Sequence, residues 1–101
     1  MKRHQVTVRV EGRGLSVLPD PIVMTSEDEL QWTCSTSHRF NIEFDGAGPF
    51  ATRTLAHDDA GTPQRPKKTG SFKYTVALEA DPSVRLDPEV VVGDPPSQPR
   101  P

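Results

Sequence analysis

One cysteine and two histidines in this chain have side chains that could bind a metal. Cys34 stands four positions before His38, and His57 opens the sequence His-Asp-Asp. Thiolate and imidazole are ligands that zinc and copper prefer, so Cys34 with His38 or His57 could form a non-standard metal site. A structural zinc site takes four ligands, commonly in closely spaced pairs. The alternative is that Cys34 points inward from a strand and both histidines lie on loops, because cysteine outside disulfides is usually buried.

The same residues could belong to a catalytic site. Nucleophilic catalysis needs a nucleophile, a base and an orienting group within hydrogen-bond reach. His57, Asp58 and Asp59 are adjacent on one loop, where neighbouring residues rarely hold such a geometry, and a solvated acidic loop is the simpler interpretation. We therefore expect that the protein is not an enzyme. An enzyme with a site on this loop is kept as a third hypothesis.

Alternation of apolar and polar residues predicts the strands that would position these side chains. In residues 5–10, Val6, Val8 and Val10 share one face, which is the period of a half-buried strand. Comparable segments follow at residues 15–18, 22–25, 30–34, 40–44, 72–78 and 88–92. No segment has a convincing helical period, so the sequence predicts an all-β sandwich of about seven strands. The predicted core contains Trp32, Phe40, Ile42, Phe44, Phe72, Tyr74 and Val76.

Length and composition predict one small domain with a loose end. The chain has 101 residues, of which 33% are hydrophobic and 11 are proline, about twice the usual share of proline. We expect residues 1–93 to form the sandwich, with a long loop at residues 45–70. Residues 94–101 carry four prolines after an aspartate and are expected to be a flexible tail. Their P-x-x-P spacing could dock on an aromatic groove, although such spacings are frequent by chance.

Charge and hydropathy argue against two classes of partner. The formal net charge is −2, with 12 basic and 14 acidic residues, so no strong field attracts nucleic acid or an anionic membrane. No stretch approaches the roughly 20 apolar residues of a membrane span, and the first residues contain no apolar run of signal-peptide length. With one cysteine, the chain forms no internal disulfide. We expect a cytoplasmic protein that binds neither nucleic acid nor membrane.

Two stretches resemble the cupredoxin family. Residues 19–44, PDPIVMTSEDELQWTCSTSHRFNIEF, resemble its central strands. Residues 70–92, GSFKYTVALEADPSVRLDPEVVV, resemble its last hairpin, entered through Gly70, Phe72 and Tyr74. The resemblance covers most of residues 5–92. It implies a single cupredoxin-like Greek-key β-sandwich.

The resemblance also implies where copper would be held. In the copper-binding members, two histidines, a cysteine and usually a methionine hold the metal. The first histidine opens the strand that matches residues 40–44, where this chain has Phe40. The other ligands lie between the last two strands, where residues 77–88 contain no Cys, His or Met. We therefore expect a cupredoxin-like protein without copper or another cofactor, of a kind found among small bacterial proteins.

The expected function is that of a protein-binding, accessory or regulatory domain with a protein partner. Connections on a rigid sandwich commonly carry function, so the loop of residues 45–70 is the predicted contact surface. An exposed edge strand is a second route, by strand addition. Phe50 could instead anchor this loop in the core and divide it in two. The candidate contacts are Phe50, Arg53, His57, Arg65, Lys67 and Lys68.

Overall fold

The computed structural model describes residues 2–12, 14–36 and 38–94, which form nine β-strands and one helical turn. Seven strands match the predicted segments: β1 (Arg3–Glu11), β2 (Gly14–Leu18), β3 (Ile22–Thr25), β4 (Glu29–Cys34), β5 (Phe40–Phe44), β7 (Gly70–Leu78) and β9 (Glu89–Gly93). The periodicity did not predict the two-residue strands β6 (Thr54–Leu55) and β8 (Arg85–Leu86), or the helical turn α1 (His57–Ala60).

The strands form two sheets around one core. One sheet has the order β2–β1–β4, with β1 antiparallel to β2 and parallel to β4. The other has the order β3–β9–β7–β5–β6, and β8 also pairs with β7. The prediction of an all-β sandwich is confirmed. Among the described residues, no helix is long and apolar enough to cross a membrane.

The inward faces of the strands carry the apolar residues of the alternating segments. Leu30 and Trp32 on β4, and Tyr74 and Val76 on β7, are each at most 1% exposed. Burying one such side chain contributes about 1.5–3 kcal/mol, which makes this alternation the main stabilising feature. Six of the seven predicted core residues are buried, and Phe72 is half-buried near the start of β7.

Four aromatic rings fill the centre of the core. The Trp32 indole N–H donates a hydrogen bond to the Tyr74 hydroxyl oxygen at 3.2 Å, which links β4 in one sheet to β7 in the other. Phe50 lies edge-on to Trp32 at a centroid distance of 5.9 Å and 5.8 Å from Phe44. Burial raises the pKa of Tyr74 far above its ordinary value, so the hydroxyl stays protonated in this cluster.

Residues 45–70, predicted as a long loop, fold against an edge of each sheet. We call them the side segment. Leu55 pairs with Ile42 on β5, and Gln64 exchanges two backbone hydrogen bonds of 2.8 Å with Leu30 on β4. The side segment thus closes one side of the sandwich. Its buried residues are Gly48, Pro49, Phe50, Leu55, Ala60 and Pro66.

Asp28 fastens the start of β1 to the turn before β4. Its carboxylate accepts hydrogen bonds from the backbone N–H groups of Lys2 and Thr25, both at 3.0 Å, and lies 2.9 Å from His4 Nε2. The bond from Thr25, followed by that from His4, holds the pKa of Asp28 well below its usual range, although burial opposes this shift. The buried carboxylate therefore stays ionised at neutral pH and keeps these bonds.

The predicted proline-rich tail of residues 94–101 lies outside the described residues, apart from Asp94.

Gly48 allows the side segment to approach Phe44. A Cβ at position 48 would lie 2.5 Å from the Phe44 ring, whereas a Cβ at Gly46 would meet nothing within 4 Å. We expect Gly48→Ala to lower the free energy of unfolding by about 1–3 kcal/mol, because the ring must move within a filled core. Gly46→Ala is the matched control and should change it by less than about 0.5 kcal/mol.

Urea unfolding followed by the fluorescence of Trp32, the one tryptophan of the chain, measures both variants. Equal stability losses in the two variants would contradict the close approach at Gly48.

Candidate functional site

The chemistry-bearing residues lie at one end of the sandwich, where β4 ends, β5 begins and β7 ends. We call it the Phe40 end, after the residue that opens β5. Phe40 is opposite Leu78 in the β5–β7 pairing, and α1 packs beside the same end. The opposite end, where β5 ends at Phe44 and β7 begins at Gly70, is called the Phe44 end.

A surface cleft at the Phe40 end brings the three predicted residues together. It has a volume of about 410 Å³ and is lined by Trp32, Thr33, Cys34, His38, His57 and Gly61. Cys34 is half-buried at the last position of β4, so the prediction of an inward-pointing cysteine holds only in part. His38 follows on the connection to β5, and His57 arrives from the side segment.

The hydroxyl of Thr36 lies between the side chains of Cys34 and His38. Thr36 Oγ1 accepts the backbone N–H of Val10 at 3.1 Å and lies 3.3 Å from Cys34 Sγ and 3.1 Å from His38 Nδ1. The backbone N–H of His38 also donates to Cys34 Sγ at 3.4 Å. These bonds hold the thiol against the β4–β5 connection. In the described part of the chain, no three side chains of Cys, His, Asp or Glu converge closely enough to hold a metal ion.

Beyond the end of β6, the side chain of His57 provides β5 with the hydrogen-bond acceptor that a further strand residue would otherwise supply. Alternate residues of a strand donate to the same neighbour, and the N–H of Phe44 donates to the carbonyl of Arg53 at 2.9 Å. Since β6 ends at Leu55, the N–H of Phe40 instead donates to His57 Nδ1 at 3.2 Å. The imidazole also lies edge-on to the Phe40 ring at 4.9 Å. This accepted bond places the proton of the neutral ring on Nε2.

Charged residues close the Phe40 end on its outer side. Arg39 Nε donates to Glu79 Oε2 at 3.2 Å, and its Nη1 lies 3.5 Å from Asp58 Oδ1. The hydrogen bond and charge of Glu79 raise the pKa of Arg39 above its ordinary value. The backbone N–H of Glu79 also donates to the Arg39 carbonyl. Arg39 thereby connects the start of β5, the end of β7 and α1.

The six candidate contacts do not form one surface. Phe50 is 6% exposed and packs between Trp32 and Phe44, so it anchors the side segment and presents no side chain to a partner. His57 is half-buried at the Phe40 end. Arg53 lies towards the Phe44 end, where it pairs with Glu43 at 3.1 Å. The remaining candidates, Arg65, Lys67 and Lys68, are exposed on the part of the side segment that leads into β7.

Sequence reasoning did not predict the roles of Thr36, Arg39 and Glu79. Arg39 and Glu79 are 40 residues apart and meet only because β5 pairs with β7. Thr36 carried a weak signal, since it stands between Cys34 and His38, two residues from each. A hydroxyl placed there can hydrogen-bond to both neighbours.

The comparisons with known proteins support the fold. No family model matches the chain, and no curated protein matches it. A pseudoazurin from Sinorhizobium matches 94% of this chain and 76% of its own, at 17% identity and a TM-score of 0.66. A proline-to-glycine mutant of amicyanin, in its reduced Cu(I) form at pH 4, matches 86% of this chain and 80% of its own at 19% identity. Its TM-score of 0.48 is too low to support a conclusion.

The pseudoazurin likeness and the two-sheet topology define the class of the molecule, which is a cupredoxin-like β-sandwich. The positions to which the resemblance assigns the copper ligands do not carry the side chains of a copper site of the cupredoxin kind. Phe40 is fully buried at the position that the resemblance assigns to a histidine. Leu78 stands opposite it, and residues 79–88 contain no Cys, His or Met. Phenyl and alkyl groups offer no donor to a metal that prefers thiolate and imidazole.

The bond between Phe40 and His57 gives a prediction for this end. We expect His57→Ala to lower the free energy of unfolding by about 1–3 kcal/mol, because it leaves the buried N–H of Phe40 without its acceptor. His38→Ala is the matched control. Its exposed ring contacts Thr36, and its removal should cost less than about 0.5 kcal/mol.

Urea unfolding and hydrogen exchange at the Phe40 amide provide the two measurements. Unchanged exchange at this amide in His57→Ala would show that the imidazole does not protect it.

Proposed function

We propose that this chain is a non-catalytic, cupredoxin-like module without a copper site, which acts by binding a protein partner in an accessory or regulatory role. The observation that supports this proposal is the pairing of buried Phe40 with Leu78, at positions where the resemblance places copper ligands. An electron carrier needs a metal held at a fixed geometry, and the positions of Phe40 and Leu78 provide an apolar pair instead. The cytoplasmic location and bacterial origin predicted from the sequence remain part of the proposal.

The contacts of His57 and Asp58 favour a non-catalytic role. A general base needs a ring nitrogen aimed at a substrate proton, whereas His57 Nδ1 accepts a backbone N–H within the scaffold. The Asp58 carboxylate is directed to Arg39, the residue before β5, and not to His57 as an orienting group. The side chains of His57 and Asp58 are therefore explained by fold contacts, which weakens the hypothesis of an enzyme.

The side segment is suited to recognition because it is held in place. Phe50, Leu55 and Ala60 are buried, and Gln64 pairs with β4. Ordered connections on a rigid sandwich can present side chains to a partner with little loss of entropy on binding. The exposed residues of this segment include Arg53 towards the Phe44 end, and Arg65, Lys67 and Lys68 on the part that leads into β7.

Affinity capture from the native lysate tests this proposal. The variant replaces Arg53, Arg65, Lys67 and Lys68 by alanine, which leaves the buried residues of the side segment intact. The matched control replaces four exposed basic residues elsewhere, namely Lys2, Arg3, Arg9 and Arg85. We expect one protein to be enriched by the wild type and the control and to be depleted by about fivefold or more with the variant, as expected when several polar contacts are lost.

Circular dichroism must show that both variants are folded. Equal capture by variant and control, or the absence of any enriched protein, would refute the side segment as the binding surface.

A metal-binding function that uses Cys34 with His38 or His57 is the second candidate. The specific observation in its favour is the shared cleft that these three residues line. All three side chains already have contacts within the protein, because Cys34 Sγ accepts the backbone N–H of His38, His57 Nδ1 accepts the Phe40 N–H and His38 Nδ1 contacts Thr36. A metal would therefore have to use Cys34 Sγ and the Nε2 atoms.

Metal content separates the two candidates. The purified protein is incubated with Cu(II) or Zn(II), desalted and analysed for bound metal, and its visible spectrum is recorded. The first candidate predicts well below one equivalent of metal and no thiolate–copper absorption band. One equivalent bound by the wild type and lost in Cys34→Ala would establish the second candidate and overturn the first.

A further inference from the structure

The start of β7 is preceded by a stretch of unusual charge. Residues 65–73, RPKKTGSFK, contain four of the twelve basic residues and none of the fourteen acidic ones. The whole chain has a formal net charge of −2, so the remaining residues are strongly acidic on balance. Such a local excess is a site of attraction for negative groups, even on a protein that is acidic as a whole.

The fold places three of these cations around the Phe44 end. The backbone N–H of Lys67 donates to the carbonyl of Pro49, and the carbonyl of Lys73 accepts the N–H of Asp45 at 3.1 Å. Lys68 stands between them, two residues before β7. All three lysines are exposed. None of them takes part in the ion pairs found among the described residues.

A small cleft lies beside Lys73, which is one of its lining residues. It has a volume of about 250 Å³ and separates the turn at Gly46–Gly48 from the first residues of β7. Phe44 and the half-buried Phe72 form its apolar walls. Its size suits one apolar side chain of a ligand, while larger ligand pockets usually exceed about 300 Å³.

Nearby acidic residues restrict how a ligand could lie. Asp45 lines the cleft itself, so a carboxylate of the ligand would be repelled from its interior. Glu43 is engaged by Arg53, and Glu89 is opposite Lys73 in the β7–β9 pairing. A ligand would therefore place an apolar group in the cleft and its negative charges outside, towards Lys67 and Lys68.

This arrangement favours a peptide over a nucleic acid or a lipid surface. Single strands of nucleic acid bind through exposed stacking aromatics along a basic groove, whereas Phe72 is partly covered and three lysines form a short patch. A membrane surface typically needs four to eight basic residues, and the contacts place only three of the four cations of residues 65–73 around this end. Carboxylates beside one apolar side chain match both the charge and the cleft.

We propose that the Phe44 end binds an extended acidic segment of the partner protein, with its carboxylates facing Lys67, Lys68 and Lys73 and one apolar side chain in the cleft beside Phe72. This inference rests on the proposed function, because it specifies the chemistry of the partner that the side segment would bind.

The test uses a fluorescein-labelled peptide of alternating Glu and Leu residues. Its affinity for the folded chain is measured by fluorescence anisotropy, and amide shifts of the ¹⁵N-labelled protein locate it. A peptide with Gln in place of Glu is the probe control. The variant is Lys67→Gln, Lys68→Gln and Lys73→Gln, and the matched control is Lys2→Gln, Arg9→Gln and Arg85→Gln, which changes the net charge equally.

We expect the acidic peptide to shift residues 46–48 and 66–73 and to bind the variant about tenfold more weakly, as expected for three exposed charges. The control should remain within about twofold of the wild type, and the Gln peptide should bind weakly to all three proteins. Equal losses in variant and control, or shifts located at the Phe40 end, would overturn the inference.

Further measurements test which class of ligand occupies the surface. Tighter binding of a DNA duplex or of phosphatidylserine vesicles than of the peptide, lost in the same variant, would assign the surface to those ligands. Self-association in sedimentation, lost in the variant, would make the occupant a second copy. In affinity capture, a partner that depends on the side segment could be bound equally by the wild type and by the triple Lys→Gln variant. That result would overturn this inference but would leave the proposed function supported.

Discussion

The hydrogen bond from the Trp32 indole to the Tyr74 hydroxyl is the interaction on which the rest of the structure depends. At 3.2 Å it joins the two sheets at the centre of the core. A buried tyrosine oxygen without a partner would be costly, as would a buried indole N–H. Each polar group satisfies the other, so both large rings can be buried. Their edges then form the surface on which Phe44 and Phe50 pack, and Phe50 brings the side segment with it.

The position of the side segment follows from this anchor. Once Phe50 is fixed in the core, the chain after it runs beside β5 as β6 and then returns along β4, where Gln64 pairs with Leu30. Both sheets would otherwise expose a row of unpaired backbone groups on this side, which favours association with other strands. A segment that resembles a long loop in sequence is thus the element that closes the sandwich. Its charged side chains face outward because its apolar ones are buried.

The sequence predicted the seven main strands because alternation is a property of each strand alone. It did not predict β6, β8 and α1, since a strand of two residues is defined by its partner and not by its own pattern. Cys34 shows the limit of alternation, because the last residue of β4 is only half covered where the chain turns towards His38. The shared cleft was also beyond prediction. It requires His57 to return to Phe40 across 17 residues, which only the folded side segment achieves.

The two ends of the sandwich differ in whether their charged side chains already have partners within the fold. At the Phe40 end, Arg39 engages Glu79 and Asp58, and the ring of His57 engages Phe40, so the polar groups of this end are used to hold the fold. A group that already has a partner gains little from a ligand, because binding must first replace the existing bond. At the Phe44 end, three lysines have no ion pair among the described residues, and one of them, Lys73, lines a small cleft with apolar walls. This difference is the reason for proposing the binding surface at the Phe44 end, on the opposite side of the core from Phe40.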